Sequence, residues 1–374
     1  MPCCTDTEAA PVTLIPMERI SRRRPPATLA SLAAELGISR TTVSNAYNRP
    51  DQLSPQLRTR VMDAARALGY PGPDPVARSL RTRKAGAVGL LLAEKLSYAF
   101  RDPALVSFLE GLTSECDRAK TGLLLIPANP DAEDVGAVAG AAVDGFVAYA
   151  MPDDDPHLEA VLVRPVPAVI CDQPLADGVD LVSVDDRAAM REIADHLTAL
   201  GHRRIGVVSM RLGRKHRDGP VDIARQQRAH YHVQRNRLAG LQDGFEAAGV
   251  AWDRIPVVER FENSIEAGAS GAAEILALDP GITAVVATSD ILAFGVMEEL
   301  ARRHQRVPED VAVTGFDGIK EALTRGLTTV SQPFTEKGRR AGQLLLEPNH
   351  RAEPRRVSLE TEFLTGSTTA KPRT

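Results

Sequence analysis

Apolar and polar positions follow two rhythms along this chain, a helical one near the front and a strand-and-helix alternation behind it. Residues 28–48 read TLASLAAELGISRTTVSNAYN; Leu29, Leu32, Ala33 and Leu36 fall at i, i+3, i+4 and i+7, one face of a helix that Thr28 can cap. Gly37 follows, where a left-handed residue turns the chain, and Ile38 offers an apolar anchor. Ser39 can cap a second helix, with Val43, Ala46 and Tyr47 as its apolar stripe and Arg40, Thr41, Ser44, Asn45 and Asn48 opposite. A third helix opens at Ser54 and Pro55, buries Leu57, Val61, Ala64, Ala65 and Leu68, and stops at Gly69. Two short helices around a glycine turn, the second facing outward with donors and acceptors, suit the major groove of DNA. A bundle whose polar stripe merely faces water is the alternative.

From Ala85 onward strand-sized apolar runs alternate with amphipathic helices. The runs are 87–92, 122–127, 144–149, 167–171, 181–185, 205–209, 256–260, 284–289 and 311–316, and helices such as Arg187–Leu200 and Ile291–His304 lie between them. Continuous apolar strands separated by helices predict parallel sheets covered on both faces, and nearly 290 residues predict two lobes. Ligands of open α/β sheets bind beyond the carboxyl ends of the strands. That rule selects Ser97, Tyr98, Phe100, Asp153, Asp154, Asp172, Ser209, Ser289, Asp290, Phe316 and Asp317. Several have blander readings: Asp290 as a helix cap, Asp317 as a turn residue, Asp153 as a solvated helix start.

Composition narrows the class. With 43% hydrophobic and 25% charged residues the chain is globular, and no apolar run approaches the ~18 residues of a membrane helix. Residues 1–25 lack the basic start of a signal peptide and are expected to form a disordered tail. Cys3, Cys4, Cys116 and Cys171 lack metal spacing, which fits reduced thiols in a cytoplasmic protein. The net charge of −4 conceals an asymmetry: residues 18–84 hold 13 basic against 5 acidic side chains, so that stretch carries +8 and the remainder −12. A basic head on an acidic body points to a polyanion partner. Behind the head, PGPDPVARSLRTRKAG is a stiff proline spacer followed by a helix too short to be stable alone.

The series TLASLAAELGISRTTVSNAYN, SPQLRTRVMDAARALGY and PVARSL resembles the lactose-repressor (LacI/GalR) family of bacterial transcription regulators, and the likeness runs from Thr28 nearly to the end. It implies that Arg40, Thr41 and Asn45 read operator bases, while Ser39, Thr42, Ser44 and Asn48 are placed for phosphates. It also implies that the hinge folds on DNA and wedges Leu80 into the minor groove, with Ala77 and Arg78 beside it. The body would have the two-lobed fold of periplasmic sugar-binding proteins, its crossovers near Asp172 and Gln332–Pro333, helix 334–347 returning to the first lobe and strands in 357–366 to the second. Effector contacts implied by the likeness are Arg237, Ser289, Asp290 and Asp317, with Phe261 on a looser alignment; Tyr98, Phe100 and Asp153 join them from the strand-end rule.

The resulting division is a tail (1–25), an all-α helix-turn-helix domain (26–70), a hinge (71–84) and an α/β effector-binding and dimerisation domain of two doubly wound parallel sheets (85–374). Lobe 1 would hold about 85–171 and 333–347, lobe 2 about 172–332 and 348–374. The segment 211–235, dense in Arg, Lys and His, reads as a solvated loop or as a cover for the cleft. The expected protein is a dimeric repressor of pseudo-palindromic operator DNA, controlled by a small effector, most naturally a carbohydrate. A solute-binding protein would share the body but not the basic head. An enzyme has the weakest support: GxxxxGK[ST], GxSxG and a GxGxxG after the first strand are absent, and His230 and His232 come without further metal ligands, so neither metal nor cofactor is expected.

Overall fold

A computed structural model describes residues 27–74, 79, 82–128, 134–347 and 353–373. The expected tail 1–25 and the hinge residues Ala77, Arg78 and Leu80 lie outside the described residues. The chain divides after Arg83 into two compact units.

The first unit holds α1 (Leu29–Leu36), α2 (Arg40–Asn48) and α3 (Pro55–Leu68). Thr28 caps α1 through its side chain, Ser39 caps α2 and Ser54 caps α3. Gly37 (φ 65°) and Gly69 (φ 67°) close α1 and α3 in the left-handed region that a side chain would strain. Leu32, Ala33, Val43, Ala46, Val61 and Ala65 form the core, with Leu29, Ile38, Tyr47 and Tyr70 packed around it. Leu68, expected inside, is 38% exposed. It occupies the last turn of α3, where the Gly69 cap carries the chain away and Tyr70 packs on the core in its stead.

The second unit is built on two sheets. In the first, β1 (Ala87–Leu92), β2 (Gly122–Pro127), β3 (Phe146–Tyr149), β4 (Ala168–Cys171), β5 (Asp180–Val184) and β12 (Arg356–Leu359) lie parallel in the order β12-β5-β4-β3-β1-β2. In the second, β6 (Ile205–Met210), β7 (Gly219–Pro220), β8 (Val257–Arg260), β9 (Ala284–Ala287) and β10 (Ala312–Thr314) run β10-β9-β6-β8-β7, with only β7 antiparallel. A short ribbon pairs β11 (Thr329–Ser331) with β13 (Glu362–Leu364).

Helices α4 (Pro103–Ala119), α5 (Gly136–Ala139), α6 (Pro156–Leu162) and α13 (Phe334–Leu346) cover the first sheet. The second is covered by α7 (Asp186–Leu200), α8 (Ile223–Gln227), α9 (His232–Ala247), α10 (Ile265–Leu278) and α11 (Asp290–Arg302), with α12 (Lys320–Thr324) beyond. Each sheet is apolar on both faces: in β1, Leu90 and Leu92 pack under α4 and α13, while Leu91 packs on the opposite core with Val138 and Val161. Three helix pairs cross on glycine. A Cβ on Gly111 of α4 would sit 1.8 Å from the Thr335 carbonyl of α13; one on Gly240 of α9, 2.1 Å from that of Arg187; one on Gly295 of α11, 2.0 Å from that of Ile265.

The partition between lobes differs from the expected one. Residues 180–184 and 356–359 belong to the first sheet, not to the second lobe. The polar connection 172–179 has the composition of an interlobe linker, yet it returns to the same sheet as β5, and the chain crosses over only near Asp185. Asp180 anchors the returning β12 by accepting the Arg355 backbone N–H at 2.6 Å and pairing with the Arg355 guanidinium at 2.6 Å. The crossing at Gln332–Pro333 and the packing of α13 on the first lobe lie where the sequence placed them.

Candidate functional site

The first unit presents one face of α2. Arg40 and Thr41 are exposed, and Asn45 is half-buried, its amide donating to Gln52 Oε1 at 3.3 Å. Gln52 was not singled out in the sequence; its signal is the Pro50–Gln52 turn that brings it back beside α2. Ser39 Oγ accepts the Thr42 N–H at 3.0 Å, and the Asn48 amide donates to the Ser44 carbonyl and hydroxyl at 3.0 and 3.1 Å. The four candidate phosphate contacts are therefore paired among themselves, whereas Arg40 and Thr41 project.

In the second unit a cavity of about 120 Å³ lies between the lobes, many times the ~10–15 Å³ one water needs. Of the expected effector residues it collects Tyr98, Arg237 and Asp317. Arg237, on α9, is buried and donates through Nε to Asp186 Oδ1 at 2.8 Å and through Nη1 to the Thr288 carbonyl at 2.7 Å; its guanidinium lies 4.0 Å from the Phe316 ring centre. Its Nη2 faces Asp317 Oδ1 at 3.9 Å. Burial pushes the Asp317 carboxyl well above the usual range, Arg237 draws it back down and nearby Asp290 adds to the rise.

The other expected residues lie elsewhere. Phe100 is 70% exposed, because its three-residue turn follows the strand end by several residues and rotates the ring outward. Asp153 is not among the cavity's lining residues and pairs with Arg235 at 3.1 Å. Phe261 is buried beneath the Arg211 guanidinium. Ser289 is the N-cap of α11, its hydroxyl donating to Asn263 Oδ1 at 2.6 Å. Asp290 accepts from Thr329 Oγ1 at 2.6 Å and from the Ile319 N–H at 2.9 Å. Asp290 thus fixes the loop that carries Asp317 rather than facing the cavity, and Gly315 leaves room for it, since a Cβ there would lie 2.3 Å from Asp290 Oδ1.

The cavity also gathers Glu94, Asp102, Arg211, Tyr231, Gln234 and Gln332, none of which the likeness supplied, together with Asp172 from the strand-end rule. Asp172 (φ 64°) and Asp317 (φ 127°) both hold left-handed backbone, a strain of roughly 1–3 kcal/mol that clusters at binding sites. The fully buried Lys337 ammonium donates to Asp172 Oδ1 and to Gln332 Oε1, each at 2.6 Å, and the Gln332 amide donates to Asp317 Oδ1 at 2.9 Å. The lobes are further joined by the Arg211–Glu94 ion pair, by the Val233 N–H donating to Gln173 Oε1 at 2.7 Å, and by the Asn263 amide donating to the Tyr98 hydroxyl at 3.3 Å. The segment 211–235 is ordered, with β7 and α8 inside it, and four cavity residues come from it or its first turn of α9: Arg211, Tyr231, Val233 and Gln234. Among the described residues no helix is long and apolar enough to cross a membrane.

A helix-turn-helix unit followed along the chain by a bilobal α/β unit with a polar cleft is the make-up of a ligand-responsive DNA-binding regulator. Comparison with known proteins agrees. Residues 194–369 match the periplasmic binding protein-like domain family. An HTH-type transcriptional regulator of Mycolicibacterium smegmatis is 51% identical over 355 residues, covering 92% of this chain and 97% of its own. The crystal structure of a LacI family transcriptional regulator from Corynebacterium glutamicum, 43% identical, superposes with a TM-score of 0.71 over 93% of this chain and all of that one. The regulator CelR of Thermobifida fusca is 31% identical over 93% of this chain and 98% of its own, and a solved CelR–cellobiose complex, 28% identical, covers 92% of this chain and all of that one with a TM-score of 0.66. The chain belongs to the LacI family of HTH-type transcriptional regulators.

Proposed function

We propose that this regulator is a repressor that binds a pseudo-palindromic operator as a homodimer and changes its DNA affinity when a sugar occupies the cleft. The observation that carries the effector reading is the meeting of Arg237, Asp317 and Asp172 in one interlobe cavity, each already held by a second partner. A guanidinium fork and carboxylates each bond two neighbouring oxygens at fixed geometry, which suits vicinal hydroxyls. The CelR complex with cellobiose supports the same ligand class. Arg40, Thr41 and Asn45 are the base-reading residues in this proposal, and Ser39, Thr42, Ser44 and Asn48 steady the backbone. One short helix reads few bases, so two copies spaced about a helical turn apart give the needed specificity. Interlobe bonds such as Arg211–Glu94 and Arg235–Asp153 tie lobe posture to cleft occupancy, and a coupling of ~1–3 kcal/mol suffices for 5- to 150-fold changes in operator affinity.

The test is a gel shift with DNA from upstream of the protein's own gene, alone and with cellobiose, other sugars or nucleosides. Salt-sensitive, site-selective retardation that a sugar changes in wild type but not in Asp317→Asn supports the proposal. Retardation indifferent to every sugar but altered by a nucleoside rejects the sugar assignment, and no retardation rejects operator binding.

A further inference from the structure

After β13 the chain runs back over the second lobe and lies along the open edge of its sheet. β10 is the last strand on that side, and it takes this segment as a further partner. The Val313 N–H donates to the Thr368 carbonyl at 2.9 Å, and the Thr368 hydroxyl donates to the Val313 carbonyl at 2.7 Å. On the other flank the Ser367 N–H donates to the Gly326 carbonyl at 2.7 Å and the Gly366 N–H to Thr328 Oγ1 at 3.0 Å. A Cβ on Gly366 would lie 2.1 Å from the Gly326 carbonyl, so the approach is backbone to backbone. Residues 366–373 therefore strap down 326–328, the stretch that leads into β11 and on to the lobe crossing at Gln332.

Two histidines sit in the seam and pin the strap. His202, between α7 and β6, is only 1% exposed; its Nε2 lies 2.8 Å from the Ala370 carbonyl and its Nδ1 2.9 Å from the Thr283 hydroxyl. A carbonyl only accepts, so Nε2 carries the proton, and in the neutral ring Nδ1 accepts from Thr283. His196, on α7, meets Thr369 Oγ1 through Nε2 at 2.9 Å and sets its ring against Phe363 of β13, while Thr369 reaches Thr328 Oγ1 at 3.0 Å. Burial disfavours the His202 cation most; the Ala370 carbonyl favours it, and His196 and Arg203 disfavour it again. Burial acts on His196 in the same direction. The acids around the seam are turned away or taken. Glu192 and Asp195 of α7 and Glu362 of β13 are exposed, Asp195 facing Arg191; Asp279 pairs with Arg204, and Asp310 with Arg306 and Arg373. Lys371 of the strap is exposed. Among the described residues no carboxylate bonds either ring.

We propose that 366–373 is an acid-released strap: neutral His196 and His202 hold it on the second lobe, and protonation of the two rings frees it, uncovering the β10 edge and loosening the stretch into the crossing. Once freed, the rings meet water and take a proton at the ordinary histidine value of about 6.5. Docked, they resist it, so docking is full above that value and weakens as pH falls below it.

Hydrogen exchange on the full chain, corrected for the intrinsic rate, tests this at about pH 7.5 and about pH 5.5, either side of the ordinary value. One pH unit below that value, each histidine can weaken docking by up to about tenfold. Protection across 312–316 and 366–370 should fall by at least about threefold, and up to about a hundredfold for the pair, while 205–209 in the middle of the sheet keeps its protection. His196→Gln with His202→Gln keeps a donor near each Nε2 but cannot titrate, and should abolish the fall; Asp290, which titrates beyond Thr329, is common to both proteins. If the double variant is already unprotected at the higher pH, the single variants decide, each keeping one histidine's share of the fall. An unchanged strap in the wild type at the lower pH overturns the inference. So does an undiminished fall in the variants, or an equal fall at 205–209, which is unfolding of the lobe rather than release of a strap.

Discussion

Lys337 Nζ lies 2.6 Å from Asp172 Oδ1, and the lysine has no solvent exposure. The cation comes from α13 and the carboxylate from the loop after β4, so the pair closes the first lobe beneath the cleft. Through Gln332 the contact continues to Asp317 of the second lobe, which makes one buried chain of polar groups span the crossover.

Removing one end of such a pair leaves a buried charge uncompensated. Lys337→Met should lower unfolding stability by about 3–5 kcal/mol, read from urea denaturation, whereas Lys337→Met with Asp172→Asn should recover much of it. Equal losses in the single and double variants would mean that the ammonium is held by Gln332 alone.

The α4–α13 crossing depends on Gly111, where a Cβ would meet the Thr335 carbonyl at 1.8 Å. Backbone cannot yield as a side-chain tip can, so the helices must move apart. Gly111→Ala should cost about 1–3 kcal/mol or more, seen as a lowered melting temperature. Gly213→Ala, whose Cβ would find nothing nearer than the Arg225 side chain at 3.6 Å, should stay within about 0.5 kcal/mol of wild type.

Local rules made much of the molecule legible. The capping serines, the glycines at positions 37 and 69, and the apolar runs that became β1 to β6 and β8 to β10 were readable because they express period and cap chemistry along the chain. What escaped depends on neighbours distant in sequence. Nothing local distinguishes the 172–179 connection from an interlobe linker; only pairing of β5 between β4 and β12 decides it. The site divided likewise. Asp317 and Tyr98 were found from strand ends, and Arg237 through the family likeness alone. Arg211, one residue past β6, was absorbed into a basic run that looked solvated, and its burial follows from Glu94 in the other lobe. Asp290 and Ser289 satisfied the strand-end rule too, but a helix start uses the same residue types as a binding site, and here the helix start claims them.

Asp290 sets a pH dependence. Burial raises its carboxyl pKa to about 6, against hydrogen bonds from Thr329 and Ile319 that lower it, while the unfolded value is about 3.9. The folded state therefore binds the proton more tightly, so this group's contribution to stability is full below about pH 4 and is lost as pH rises towards about 6. Asp290→Asn cannot titrate. The difference in unfolding free energy, wild type minus variant, should fall across that window with a slope of at most about 1.4 kcal/mol per pH unit. Parallel pH profiles for the two proteins would show that Asp290 titrates in the folded state as it does in the unfolded chain.

The head can be tested apart from the cleft because base reading and phosphate contact fail differently. Arg40 is exposed, and the Asn45 amide donates to Gln52 Oε1; in the proposed reading the first pairs with a guanine edge and the second is oriented before it meets its base. Arg40→Ala or Asn45→Ala should relax preference at one base pair in each half-site, a loss of ~1–3 kcal/mol against the preferred base, measured by gel shift over systematically varied operators. Gln52→Ala should give a smaller relaxation at the same base pair as Asn45→Ala, since it removes orientation rather than the contact. A uniform weakening over all sequences from Arg40→Ala would instead assign that guanidinium to a phosphate, and the salt dependence of binding would then drop by about one phosphate contact.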